Sequence, residues 1–161
     1  ESAQKKADAQ FENYLFETII NNLEGEIPEC MYDQKIDREI QEFEMRLKQS
    51  QMSLDLYFQY TGMDLDDLKA TYRDRAVSEV KLRLALEKIV ELENITVTEE
   101  EVENGLKEIA ESNNLDVDQV KRIINVADYE MDLKVGKAAD IVKENAVVDN
   151  TLAQKEEEAE K

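Results

Sequence analysis

Apolar positions in this chain recur every three or four residues almost from end to end. Phe11, Leu15, Ile19 and Leu23 fall at four-residue steps, with Phe16 and Ile20 beside them. This predicts a helix over residues 3–24 with one wide apolar face. Gly25 is placed to end it, because glycine enters the left-handed conformation without a Cβ penalty. A second helix is expected to start at Pro28, a residue suited to the first helical position, with Glu29 complementing the helix dipole. Its stripe is Ile36, Ile40, Phe43 and Leu47, and the pattern fades near Ser50. The longest stripe runs Leu65, Leu68, Tyr72, Ala76, Val80 and Leu84, then Leu86, Ile89 and Val90. It predicts a helix over 65–93 capped by Asp64, with Asp66 and Asp67 in its first turn. Thr98 with Glu101 forms a capping box, and Asp116 with Gln119 resembles a weaker one. These start helices over 99–112 and 117–125, and a last helix spans 127–145. No β-branched run alternates at period two, so the fold class is all-α.

Between the second and fourth helices lies Met52-Ser53-Leu54-Asp55-Leu56-Tyr57-Phe58-Gln59-Tyr60-Thr61-Gly62-Met63. Connections usually run over the surface and are polar, yet this one is mostly large and apolar. Ser53 as N-cap and Gly62 as the residue after the helix make it a short capped helix. Either it is tucked into a core or it is displayed to hold something. A second region, Ile124 with Tyr129, Met131 and Leu133, raises the same question. Tyr129, Met131, Leu133 and Val135 alternate, so they cannot all share one helix face.

Length bears on shape. The fourth helix would be roughly 43 Å long, whereas a compact chain of 161 residues is about 39 Å across. An elongated body with protruding helical arms is therefore expected, with some apolar stripe left exposed as an interaction surface. Residues 1–147 are expected to form the helical domain and residues 148–161 a charged, disordered tail. The chain opens on Glu1-Ser2-Ala3 without a starting Met, so a fragment of something longer is expected.

Composition narrows the chemistry. There are 39 Asp and Glu against 20 Lys and Arg, a net charge of −19. That argues against nucleic-acid binding, which needs clustered cations, and it keeps an apolar surface soluble. The chain has no His and one cysteine. This removes His-based catalysis, Cys-pair metal sites and an internal disulfide. Cys30 is expected to be an ordinary packing residue, and Met31 and Met45 to fill gaps in a core. Met52 and Met63 flank the sticky segment, where adaptable methionines suit contact with varied partners. The carboxylates Glu99, Glu100, Glu101 and Glu103, like Asp64, Asp66 and Asp67, read as helix-start electrostatics rather than metal ligands or acid–base pairs. There is no phosphate loop, no nucleophile–base set and no metal spacing, so no enzyme, metal or cofactor is implied. No apolar run approaches a membrane span and no stretch reads as a signal peptide.

The order of motifs has a family likeness. Ile27-Pro28-Glu29 leads into a helix carrying Tyr32-Asp33 and Ile36-Asp37; then come Tyr57-Phe58-Gln59-Tyr60-Thr61-Gly62-Met63 and Val80-Lys81-Leu82-Arg83-Leu84-Ala85-Leu86-Glu87-Lys88-Ile89. Ile95-Thr96-Val97-Thr98-Glu99-Glu100-Glu101-Val102 and Lys143-Glu144-Asn145-Ala146 complete the series. Over residues 10–147 the chain resembles the C-terminal, substrate-binding domain of the trigger factor family, bacterial ribosome-associated chaperones. The resemblance implies a helical body with two arms that cradles unfolded and nascent polypeptides, similar to the peptide-binding domain of periplasmic chaperones. It implies a cytoplasmic location. The family's Gly-Phe-Arg-rich ribosome-docking loop and its prolyl-isomerase domain have no counterpart in this sequence. The ribosome would be a partner only through a domain missing here, and no proline isomerisation is expected. The linker helix before the isomerase domain is missing too, which leaves a neighbouring groove uncovered and a weak homodimer open.

The resulting reading is an ATP-independent holdase that binds apolar segments of unfolded chains, with no nucleic-acid or membrane partner. Client contact is expected at Met52, Leu56, Phe58, Tyr60 and Met63, and at a second patch of Ile124, Tyr129, Met131 and Leu133. The rival from another class is an acidic helical adaptor with one specific folded partner. Client breadth separates the two.

Overall fold

A computed structural model describes residues 2–146, with side chains from residue 9 onward. The expected charged tail at 148–161 lies outside the described residues. The described residues form seven α-helices and no strand: α1 Ser2–Asn21, α2 Glu29–Gln49, α3 Leu54–Thr61, α4 Leu65–Leu92, α5 Glu99–Asn113, α6 Val117–Ile123 and α7 Val126–Asn145. The fold is all-α, as the 3.6-residue periodicity predicts. None of these helices is long and apolar enough to cross a membrane.

Helix starts obey the capping chemistry of the sequence. Ser53 Oγ accepts from the Leu56 N–H at 3.2 Å and starts α3. At α4 the Asp64 carboxylate accepts from the Asp67 N–H at 2.9 Å, and the Asp67 carboxylate accepts in return from the Asp64 N–H at 3.2 Å. Thr98 and Glu101 make the same reciprocal pair at α5, at 3.2 and 2.8 Å. At α6 the Gln119 side-chain oxygen accepts from the Asp116 N–H at 2.9 Å. Each pair satisfies N–H groups that the first turn of a helix leaves without intrahelical partners.

Helix ends are where the structure departs from expectation. α1 stops at Asn21, short of Gly25, through tightened bonds from the Asn22 N–H to the Thr18 and Ile19 carbonyls. Gly25 has φ +140°, outside the helical left-handed well, so it turns the adjoining loop rather than capping α1. Pro28 is the N-cap of α2, with extended ψ 135°, and Glu29 is the first helical residue, so the proline stands one position earlier than expected. Three other helices end on non-glycine residues in the left-handed well: Gln51 (φ 58°), Asn94 (φ 51°) and Asn114 (φ 53°). In each, the next N–H reaches back to a carbonyl five residues earlier: Met52 to Leu47 at 2.9 Å, Ile95 to Val90 at 3.0 Å, Leu115 to Ala110 at 2.9 Å. These are Schellman motifs, which satisfy the orphan carbonyls of the last turn and bring an apolar residue back beside it. Gly62 (φ 73°) ends α3 by the simpler motif, one bond from its N–H to the Phe58 carbonyl at 2.8 Å.

The chain divides into two compact units. One is Phe16–Lys88. Its core is Ile36, Ile40, Leu68 and Ala76, against which Phe43, Leu54, Phe58 and Tyr72 pack. Phe43 stands edge-on to Tyr57 at 5.0 Å between ring centres and tilted to Tyr72 at 6.4 Å. Ion pairs tie α2 to α4: Glu29 with Arg73, Lys35 with Glu79 at 2.7 Å, and Asp37 with Lys69 at 3.6 Å. The buried Glu39 carboxylate takes the same Lys35 at 2.9 Å, so a half-buried cation compensates its removal from water. Partial burial of Glu79 works against its charge, but hydrogen bonds from Lys35 and Arg75 outweigh that and hold its carboxyl below the ordinary range. Two packing expectations fail in this unit. Cys30 is exposed, and Met45 is 56% exposed because it lies off the Ile36–Ile40–Phe43–Leu47 stripe.

Of the described residues, the other unit comprises those up to Leu15 and from Ile89 to Ala146. Leu106, Ala110 and Val120 are its buried cluster, covered by Val102, Ile109, Val117, Ile124 and Tyr129. Ala138 on α7 is fully buried as well.

Candidate binding surfaces

α3 sorts its residues by helical phase. Leu54 and Phe58, four apart, pack on the α2–α4 core, and Tyr57 sits edge-on to Phe43. The opposite face carries Leu56 and Tyr60, also four apart and therefore neighbours on the helix surface. Both are exposed, Tyr60 by 77%. Thr61 locks the end of the helix: its hydroxyl donates to the Tyr57 carbonyl at 2.9 Å and accepts from the Met63 N–H at 3.4 Å. Met52 and Met63 are half-buried at the two ends of the helix. Met52 is the residue that the α2 Schellman motif folds back toward Leu47. Of the five residues expected here, the structure brings Leu56 and Tyr60 together on one open face. It flanks them with the two methionines and turns Phe58 to the core side.

The second expected patch divides differently. Ile124 and Tyr129 pack against the Leu106–Ala110–Val120 cluster. Tyr129 lies across α5 at Gly105, where an added Cβ would collide with the tyrosine hydroxyl and come within 3.0 Å of its Cζ. Gly105 is thus a seat for the ring. Met131 is exposed and Leu133 half-buried, so Tyr129, Met131 and Leu133 do not share a face, as their alternation requires. Sequence reasoning missed Ile123, which is 73% exposed while its neighbour Ile124 is packed. The signal was present: Val117, Val120 and Ile124 keep one helical phase, and Ile123 falls off it.

Leu133 instead lines an open cleft of about 270 Å³. Val97 and Glu101, at the start of α5, form one wall; Leu133, Gly136 and Lys137 of α7 form the other, with Asp132 and Asp140 beside them. Lys137 is engaged, donating to Glu101 at 2.7 Å and to the Thr96 carbonyl at 3.0 Å. That hydrogen bond from Lys137, with the Thr98 N–H, holds the Glu101 carboxyl below its ordinary range. Gly136 is exposed, and a Cβ there would meet open space. The cleft holds no nucleophile–base set, and no group of side chains among the described residues is arranged to hold a metal ion.

Comparison with known proteins bears on the whole chain. The family pattern described as bacterial trigger factor protein (TF) C-terminus matches residues 1–151. Trigger factors of Bacillus thuringiensis (strain Al Hakam), Bacillus cereus (strain AH820) and Bacillus anthracis (strain A0248) are each 42% identical to it over 147 residues. The match covers 91% of this chain and 35% of theirs, so the chain spans about a third of the length of these relatives. No solved structure matches it at a significant level. The order of the motifs, the all-α fold and the match along nearly the whole chain agree: the chain belongs to the trigger factor C-terminal family.

Proposed function

We propose that this chain is a non-enzymatic, ATP-independent chaperone domain that holds apolar segments of unfolded or nascent polypeptides. The observation that carries the reading is the α3 outer face. Leu56 and Tyr60 stand exposed on a short helix that is capped at both ends and anchored by Leu54 and Phe58. An exposed apolar pair on a rigid support offers contact area without an ordering penalty for the binder. Met52 and Met63 at its ends add adaptable side chains that can re-pack around different sequences. Family membership supports the same reading. The net charge of −19 keeps such a surface soluble. Its site of action is the cytoplasm, and contact with ribosomes falls to sequence outside this chain.

The test is suppression of aggregation of several unrelated, chemically denatured proteins, monitored by light scattering. The double variant Leu56→Ser/Tyr60→Ser is expected to lose most of the suppression while keeping its helical circular dichroism. Unchanged suppression would remove this face from the site. Binding of one native partner, with no effect on any denatured protein, would replace the chaperone reading with that of an adaptor.

A further inference from the structure

Of the three Schellman motifs, the one that ends α2 differs from the other two at both of its defining positions. At the ends of α4 and α5 the left-handed residues are Asn94 and Asn114, and the residues folded back are Ile95 and Leu115. Asparagine tolerates that conformation, and hydrocarbon side chains resist oxidation. At the end of α2 the left-handed residue is Gln51, which the conformation does not favour, and the residue folded back is Met52. Both bonds of the motif are made there: the Gln51 N–H reaches the Lys48 carbonyl at 3.0 Å, and the Met52 N–H reaches the Leu47 carbonyl at 2.9 Å. The folded-back residue of this motif commonly makes an apolar contact with the residue it bonds, and Met52 and Leu47 are both half-buried. The turn is therefore held against the preference of Gln51 by its two bonds, by the packing of α3 on the core and by the apolar side chain of Met52. The last of these rests on one thioether. The next residue, Ser53, is the N-cap of α3, so this turn sets where α3 begins.

We propose that Met52 is a redox-sensitive site, whose oxidation to the sulfoxide by a hydroperoxide opens the α2–α3 turn and disables the Leu56–Tyr60 face. The effect on the face rests on the chaperone reading; the opening of the turn does not. The thioether sulfur attacks one peroxide oxygen, and an S–O bond forms as the O–O bond breaks. With hydrogen peroxide, the proton on the transferred oxygen passes to the departing one, which leaves as water. Sulfur gives up two electrons and the peroxide takes them. A dithiol reverses the step, returning two electrons as it closes to a disulfide and releasing the oxygen as water. The sulfoxide is polar where the thioether is apolar. Kept beside Leu47, it is a polar group in a half-buried place; turned to water, it gives up the contact. In both cases the turn loses what offsets the strain at Gln51. The other methionines lack this coupling. Met45 and Met131 are exposed, so their sulfoxides meet water. Met63 is half-buried but follows Gly62, which takes φ 73° without a Cβ penalty. Met31 lies in the first turn of α2, with no left-handed residue beside it.

The test compares the full chain with Met52→Leu, a change of similar volume that peroxide cannot oxidise. Both are treated with hydrogen peroxide, sulfoxides are located by peptide mass spectrometry, and amide hydrogen exchange is read by NMR. Cys30 and the other four methionines are present in both chains, so the difference between them belongs to Met52. In the unaltered chain the Met52 and Leu56 N–H groups are expected to exchange about tenfold faster after oxidation. The Ile95 and Leu115 N–H groups, held in the two inert motifs, are expected to keep their rates. Met52→Leu is expected to keep the rates at positions 52 and 56 as well. Met52→Gln, which places a polar side chain there without any oxidant, is expected to reproduce the acceleration. Light scattering is expected to show the oxidised unaltered chain losing most of its suppression of aggregation relative to oxidised Met52→Leu. The inference is overturned if Met52 stays a thioether while Met45 and Met131 are fully converted. It is overturned equally if exchange at Met52 and Leu56 is unchanged once the sulfoxide has formed, or if Ile95 and Leu115 accelerate as much. Faster exchange with undiminished suppression overturns the link to the face alone. If the untreated chain suppresses no aggregation, the chaperone reading fails, and the exchange rates still decide whether Met52 controls the turn.

Discussion

The α3 segment and the segment from Ile124 to Leu133 have similar apolar content but use it in opposite ways. On α3 one face serves as the anchor, through Leu54 and Phe58, and the opposite face is left open with Leu56 and Tyr60 on it. In the second segment Ile124 and Tyr129 turn onto the Leu106–Ala110–Val120 cluster. Farther along α7 the exposed line is Asp132, Gly136 and Asp140. What separates them is how much of each helix its neighbours cover. α3 needs only part of its circumference to hold it, so apolar residues remain outside. From Leu133 to Lys143, α7 is covered on most sides, so its apolar residues there are used inside and its open edge is acidic. Apolar content alone therefore does not locate an open apolar face; coverage of the helix does.

The most forceful way to break that contrast is to compare the two faces of α3. Phe58→Ala removes a ring that packs on the core and lies 6.1 Å from Tyr57. A loss of about 2–3 kcal/mol is expected, below the usual range for fully buried aromatics because Phe58 is half-buried. Tyr60→Ser, on the open face, is expected to change stability by less than about 0.5 kcal/mol. Urea unfolding monitored by circular dichroism measures both. If Tyr60→Ser destabilises as much as Phe58→Ala, the outer face of α3 is not open and the contrast fails.

A somewhat smaller effect tests the inward turn of the second segment. Gly105→Ala puts a methyl group where the Tyr129 ring lies. Overpacking of about 1–3 kcal/mol, less alanine's helix advantage of roughly 1 kcal/mol, is expected to leave a net loss of up to about 2 kcal/mol. Tyr129→Leu should restore part of that loss in the Gly105→Ala background, giving a coupling energy in a double-mutant cycle. Absence of coupling would mean that Tyr129 is not seated on Gly105 and is available at the surface.

Much of the fold is legible in the sequence, for identifiable reasons. The stripe Ile36–Ile40–Phe43–Leu47 and the caps at Ser53, Asp64, Thr98 and Asp116 are local signals, and each appears where the spacing puts it. Gly62 as the end of α3 is legible for the same reason. The end of α1 is not, because Gly25 is only one of several residues able to succeed a helix and the chain has already turned at Asn22. Asn94 and Asn114 carry a signal, since asparagine tolerates the left-handed well; Gln51 carries none. Core and display within a patch are illegible in principle. Phe58 and Tyr60 are alike as residues and differ only in phase relative to a partner helix that the local sequence does not name. Ile123 and Ile124 make the same point with identical side chains. The cleft escapes a sequence reading because its elements are a glycine and two aspartates that read singly as helix surface, and because Val97 and Glu101 reach it from another part of the chain.

The smallest expected effect bears on why Met52 sits where it does. Gln51 adopts φ 58° so that the Met52 N–H can reach the Leu47 carbonyl. For a residue with a Cβ the left-handed well costs about 1–2 kcal/mol. Gln51→Gly removes that cost, but glycine also has more freedom to lose from the unfolded chain, by roughly 0.4–1 kcal/mol. A net gain of about 0.5 kcal/mol is expected, at the edge of what urea midpoints resolve. The same change at Asn94 and Asn114 should gain less, since asparagine already tolerates this conformation. The order of the three gains matters more than their size. A clear gain at Gln51 alone means that the turn into α3 is held against local preference by the packing of α3 on the core. Met52 and α3 would then be positioned by the core beneath them. Equal gains at all three sites would instead make the α2 end an ordinary helix stop. The placement of Leu56 and Tyr60 would then rest on α3's own caps at Ser53 and Gly62.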